Sequence, residues 1–118
     1  MLNLKKLFRR KYRAPALPEI NIDKKGFFFT IKSGEEIRVD WGSISEIRSW
    51  KNDLFAVDEV MFGYRVSTTN VIEISEEQVG FDKVIEETER RFKSVQGWES
   101  KIIQPPFQTN ETVLYEST

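Results

Sequence analysis

Gly26-Phe27-Phe28-Phe29-Thr30-Ile31-Lys32-Ser33-Gly34-Glu35-Glu36-Ile37-Arg38-Val39-Asp40-Trp41 is the stretch on which the fold class turns. Phe27, Phe29 and Ile31 alternate with Phe28, Thr30 and Lys32. After the turn at Ser33-Gly34, Ile37, Val39 and Trp41 alternate with Glu36, Arg38 and Asp40. A period of two on both sides of a breaking pair predicts a β-hairpin with one buried face.

The same pattern recurs on the C-terminal side. Val60, Phe62, Tyr64 and Val66 alternate with Met61, Gly63 and Arg65; Ile72 and Ile74 then alternate with Val71, Glu73 and Ser75 after the Thr68-Thr69-Asn70 turn, which predicts a second hairpin. Between the hairpins, Trp41, Ile44 and Ile47 come every third residue and break the alternation. This spacing predicts a tight turn or bulge leading into a strand at about 46–51. A weaker strand is expected at Ile20-Asn21-Ile22, and a final one at Thr112 to Tyr115, beyond the extended backbone that Pro105-Pro106 imposes.

One segment changes period. Phe81, Val84, Ile85, Thr88, Phe92 and Val95 recur at helical spacing, with Asp82, Lys83, Glu86, Glu87, Glu89, Arg90 and Arg91 between them. An amphipathic helix is therefore expected at about 80–95. Ser75 and Gln78 have capping-box spacing, although Gly80 favours a later start. Ser94 to Gly97 should end this helix, and Trp98 to Ile103 suits a short second one. Sequential antiparallel strands followed by one helix do not make a doubly wound parallel sheet, which needs crossover helices. The expected class is α+β, mainly β: a strongly curved antiparallel sheet or roll of about 5–7 strands with one C-terminal amphipathic helix. The 118 residues suit a single core, here assigned to residues 19–118.

Composition then limits the chemistry. The chain has no histidine and no cysteine, so Ser-His and Cys-His nucleophile pairs, His or Cys zinc sites, haem ligation and disulfides are all excluded. Carboxylates are the remaining catalytic candidates, in the doublets Glu35-Glu36, Asp58-Glu59 and Glu76-Glu77. Neighbouring residues on a strand face opposite ways, so a doublet does not make an acid-base pair by itself. No calcium-loop or phosphate-loop spacing occurs. The expectation is a protein that is not an enzyme and carries no cofactor or metal.

The net charge of -1 conceals two unlike parts. Residues 1–13 hold Lys5, Lys6, Arg9, Arg10, Lys11 and Arg13 and no acid, which leaves 12 basic against 19 acidic groups beyond them, a net of -7. On a helical wheel Met1, Leu4, Leu7, Phe8 and Tyr12 share a face, with Lys5, Lys6, Arg9, Arg10 and Arg13 opposite. The arm, residues 1–18, could lie on an anionic membrane, pack on its own domain, or remain a solvated end. Ala14-Pro15-Ala16-Leu17-Pro18 stops any helix. The acidic body disfavours nucleic acid and favours a basic partner. No stretch approaches the roughly 20 apolar residues of a bilayer span, and the interleaved N-terminus lacks a signal-peptide core, so cytoplasmic residence is expected.

Some blocks carry a resemblance. Trp41-x-x-Ile44-x-x-Ile47, followed by strands and a helix, looks like the small bacterial pleckstrin-homology-like domains. Trp41-Gly42-Ser43-Ile44, Lys51-Asn52-Asp53-Leu54-Phe55, Ile72 to Glu77 with Gly80-Phe81, and Pro105-Pro106-Phe107-x-Thr109-Asn110-x-Thr112-Val113-Leu114 resemble a family of small bacterial proteins, over about residues 27–116. The resemblance implies a PH-like roll and suggests an immunity protein of a toxin system, binding a basic nuclease-like toxin. Phosphoinositide binding fits poorly, because the loop Lys32-Ser33-Gly34-Glu35-Glu36 sets one lysine beside two glutamates.

Candidate partner-binding residues are Trp50, Lys51, Asp53, Phe55 and Asp58, in a segment read as a loop with aromatic anchors among charges, together with Glu76, Glu77 and Trp98. The structural alternative for that segment is a capped turn, with Leu54 and Phe55 closing the core. The membrane alternative uses Lys5, Lys6, Phe8, Arg9 and Arg10.

Overall fold

The computed structural model describes residues 17–54, 57–102 and 111–117. Strands β1 (Asn21–Ile22), β2 (Gly26–Thr30) and β3 (Glu36–Asp40) form an antiparallel sheet in that order. A second antiparallel sheet holds β4 (Glu46–Leu54), β5 (Val57–Arg65), β6 (Val71–Ser75) and β7 (Thr112–Glu116), in the order β6-β5-β4-β7. Helix α1 (Phe81–Arg91) and the short helix α2 (Trp98–Lys101) lie in sequence between β6 and β7.

Both expected hairpins form, β2 with β3 and β5 with β6. Their apolar rows turn inward: Phe27, Val39, Phe62, Tyr64 and Ile74 are all essentially inaccessible. The rows meet where the Phe27 and Tyr64 rings pack edge to face, with centroids 4.9 Å apart. Helix α1 covers the rest, placing Phe81 against Phe62 at 5.9 Å and burying Val84, Ile85 and Thr88. Each such buried side chain contributes on the order of 1.5–3 kcal/mol through removal from water. Inside this core the Thr88 hydroxyl donates to the Val84 carbonyl at 2.7 Å and the Tyr64 hydroxyl lies 2.9 Å from Thr88 Oγ1, so no polar atom of the pair is stranded.

The expected single, strongly curved sheet is replaced by two separate sheets. The cause lies at Trp41–Ser43, which winds into a 3-10 turn. The Trp41 N–H donates to the Lys25 carbonyl at 2.8 Å and closes the first sheet; four residues later the Ser45 N–H donates to the Arg65 carbonyl at 2.9 Å and joins the second. The 3-10 turn is the tight turn expected before the strand, and a β-bulge occurs separately in the β4–β7 ladder, between Ile47 and Arg48. There Leu114 is the extra residue, and it and Tyr115, adjacent in sequence, both reach the core side, Tyr115 against Phe92 at 4.6 Å.

The segment read as a loop at 50–58 is also corrected. The β4–β5 ladder runs on through Trp50↔Met61, Lys51↔Val60 and Asp53↔Asp58 to Leu54↔Val57. Polar residues there mimic a loop in the sequence, but cross-strand pairing carries them within a long hairpin. Helix α1 ends at Arg91, short of the expected 95, because Phe92 is extended and Lys93–Val95 forms a 3-10 turn. Its start is late, as Gly80 suggested: Gly80 has φ +96, and a Cβ there would sit 2.2 Å from the Ile20 carbonyl oxygen. Ser75 and Gln78 do not cap the helix, which has Gly80 at its N-cap, but close the turn before it. The Ser75 N–H donates to Gln78 Oε1 at 2.7 Å, and the Gln78 N–H to the Ser75 carbonyl at 3.0 Å. Gln78 Nε2 then donates to the Pro18 carbonyl at 2.9 Å, pinning the chain's entry into β1.

Among the described residues no helix is long and apolar enough to cross a membrane. Lys5, Lys6, Phe8, Arg9 and Arg10 of the arm, Phe55, and the Pro105 to Asn110 block lie outside the described residues.

Candidate protein-docking face

The four-stranded sheet buries one face. Ile47 and Ser49 of β4 and Phe62 and Tyr64 of β5 point into the core; Ser49 is tolerated there because its hydroxyl donates to the Met61 carbonyl at 2.9 Å. Strict alternation therefore sends Glu46, Arg48 and Trp50 of β4, with Met61, Gly63 and Arg65 of β5, to the other side. Among the described residues no helix packs on that side. Val71 and Val113 are about 41% and 44% exposed on the strands that flank it.

Trp50 is the largest side chain of this face and is half-buried. Its indole leans over the neighbouring strand at Gly63, where a Cβ would come within 3.1 Å of the six-membered ring and 3.3 Å of Val71. Gly63 lets the indole lie close, since an added Cβ would make the ring give by a few tenths of an ångström. Beside the ring a shallow cavity of about 290 Å³ is bordered by Glu73, Glu111 and Val71, with Glu46, Arg48 and Arg65 closing the other end.

The two arginines are spent on one carboxylate. Arg48 holds Glu46 with two hydrogen bonds, Nε to Oε1 at 2.9 Å and a terminal nitrogen to Oε2 at 3.2 Å, while Arg65 Nε reaches Oε1 at 3.4 Å. Arg65 also donates to the Thr68 carbonyl at 3.2 Å. The Arg48 hydrogen bonds, with a smaller contribution from Arg65, hold the Glu46 carboxyl below the usual glutamate range despite its burial. Glu46 in turn raises Arg48, with lesser help from the charges of Glu111 and Glu116. Glu73 and Glu111 form no ion pair of their own among the described residues.

The other sequence candidates fall elsewhere. Lys51 and Asp58 are half-buried ladder residues, and Asp53 lies in the ladder opposite Asp58. Trp98 sets its ring edge-on against Phe62, centroids 5.0 Å apart, as a lid on the core. Glu76 and Glu77 line a larger cleft of about 570 Å³ between residues 19–22 and the turn before α1, with Glu19, Asp82 and a single lysine, Lys83. Glu76 also works structurally there, accepting the Val60 N–H at 3.0 Å. Of the partner-binding candidates whose side chains are described, only Trp50 therefore stands on the open face. Glu46, Arg48, Gly63, Arg65, Glu73 and Glu111 were not foreseen there. The signal for the first of these was available, because alternation against buried Ile47 groups Glu46, Arg48 and Trp50 on one side.

No three His, Cys, Asp or Glu side chains among the described residues group so as to hold a metal ion. No family model, curated protein or solved structure matches the chain.

Proposed function

We propose that the chain is a non-enzymatic protein-binding module that presents the open face of its four-stranded sheet, and the acidic cleft beside β1, to a basic protein partner. The observation that carries this reading is a half-buried tryptophan, bordered by Glu73 and Glu111, on a sheet face over which no helix of the described residues packs. Binding energy at interfaces concentrates in such aromatic anchors, and a surrounding negative field speeds and orients the approach of a basic surface. The net of -7 beyond residue 13 acts in the same direction.

An immunity protein that occludes a basic nuclease-like toxin is the biological form of this proposal, resting on the resemblance to small bacterial PH-like proteins. The test is co-expression with the product of the adjacent gene. A complex that survives gel filtration at low salt, dissociates at high salt and fails to form with Trp50→Ala supports the reading. Substrate turnover by the purified chain, or binding indifferent to salt and to Trp50, overturns it. The alternative, a peripheral membrane or adaptor module, rests on the six cations of residues 1–13. It requires that the intact chain bind anionic vesicles and that deletion of those residues abolish the binding.

A further inference from the structure

Among the described residues, two aromatic rings are each covered by an arginine of the same chain. Arg38 lies over Phe28, its Cζ 5.5 Å from the ring centroid, and is fastened by Asp23 and Asp40. Arg91 lies over Trp41 at 5.2 Å and is fastened by Glu87 at 2.9 Å. The repeated unit is ring, guanidinium and carboxylate.

Trp50 has the ring and the carboxylates, but among the described residues no guanidinium lies over it. Glu73 and Glu111 border its cavity, yet Arg48 and Arg65, the arginines within reach, are both turned onto Glu46. We infer that the Trp50 cavity receives an arginine side chain from a basic segment of the protein partner, which completes a third unit of the same kind across the interface. This deepens the reading of the open face as a docking surface and rests on it.

The chemistry favours arginine over lysine. A guanidinium is planar, stacks on an indole, forks its N–H groups toward two carboxylates and sheds water more easily than an ammonium. An anionic occupant is disfavoured, since Glu46 already occupies both arginines and Glu111 and Glu116 add negative charge beside Arg48. Gly63 keeps the cavity open by letting the indole lie low.

The test is a titration of the full-length, isotopically labelled chain with tri-arginine amide, tri-lysine amide and the neutral isostere tri-citrulline amide, read at the tryptophan indole N–H resonances. The Trp50 signal is assigned by its loss in Trp50→Phe, and retained thermal unfolding shows that variant to be folded. Tri-arginine should shift the Trp50 resonance saturably, tri-lysine more weakly and tri-citrulline not at all. The double replacement Glu73→Gln with Glu111→Gln should weaken the tri-arginine response by about tenfold, the scale of one desolvated charge contact. An unmoved Trp50 resonance, or an equal response to citrulline, overturns the inference. If tri-arginine shifts only residues 19–22 and 76–83, the arginine site at Trp50 falls while a basic-partner module stands. If no cationic peptide perturbs the chain and the adjacent gene product does not bind, both fall.

Discussion

The outer side of the first sheet and the open face of the second use the same side chains to opposite ends. On the first, Arg38 stacks on Phe28 and bridges Asp23 and Asp40, so ring, cation and anions satisfy one another within the fold. On the second, Arg48 and Arg65 converge on Glu46, and among the described residues no arginine covers the half-buried Trp50 indole beside Glu73 and Glu111. A self-satisfied cluster stabilises and has little left to offer a partner. An unfinished one is suited to recognition, because it still has a group to gain.

Breaking the second cluster at its anchor should have the largest effect on binding. Trp50→Ala is expected to cost about 2 kcal/mol or more of affinity for the basic partner, roughly thirtyfold, as measured by calorimetry. The matching Phe28→Ala should leave affinity unchanged while lowering Tm. Equal losses from the two variants would remove the distinction drawn between the clusters.

Removing the carboxylate that occupies both arginines should be next in size. Glu46→Gln leaves two guanidiniums short of a partner at a largely buried position and should cost about 1–2 kcal/mol of stability, a fall of several degrees in Tm. It should also free Arg48 and Arg65 to approach Trp50, weakening tri-arginine binding. Improved binding in Glu46→Gln would mean that the arginines do not compete for the ring.

The smallest effect belongs to the exposed pair of the first sheet. Hydrogen bonding to Arg38 is the main reason that the Asp23 carboxyl falls from its ordinary 3.8 to about 2, with further help from the N–H groups of Gly26 and Lys25. A folded-state value below the unfolded one means that the contribution is fully present above 3.8 and is lost as pH falls toward about 2. Asp23→Asn should therefore lower Tm slightly at neutral pH and flatten the acid limb of the Tm profile. An unchanged acid limb would show that this cluster does not stabilise the fold.

Local pattern was legible wherever one physical rule acted alone. Alternation at Phe27, Phe29, Val39, Phe62, Tyr64 and Ile74 identified inward faces, because a pleated strand has no other way to bury half its residues. Gly80 announced the delayed helix, whereas the capping-box spacing of Ser75 and Gln78 marked a turn before it and not its cap. Legibility failed at 50–58, where charged residues read as a loop although β4 and β5 remain paired, since ladder hydrogen bonds are indifferent to what the side chains are. For Trp98, which its position beside Gly97 left as either a core lid or an exposed contact, only the packing on Phe62 decides for the lid.

The sequence by itself determined a mainly antiparallel β chain with one amphipathic helix, chemistry without histidine or cysteine, and an acidic body behind a basic arm, since each follows from residue type and near-neighbour spacing. Tertiary structure alone decided that the strands divide into two sheets at Trp41–Ser43, and that Glu46 draws in both Arg48 and Arg65. These outcomes depend on which strands become neighbours. That choice is made by closing a common core, and a carboxylate within reach of two guanidiniums exists only after the core has closed.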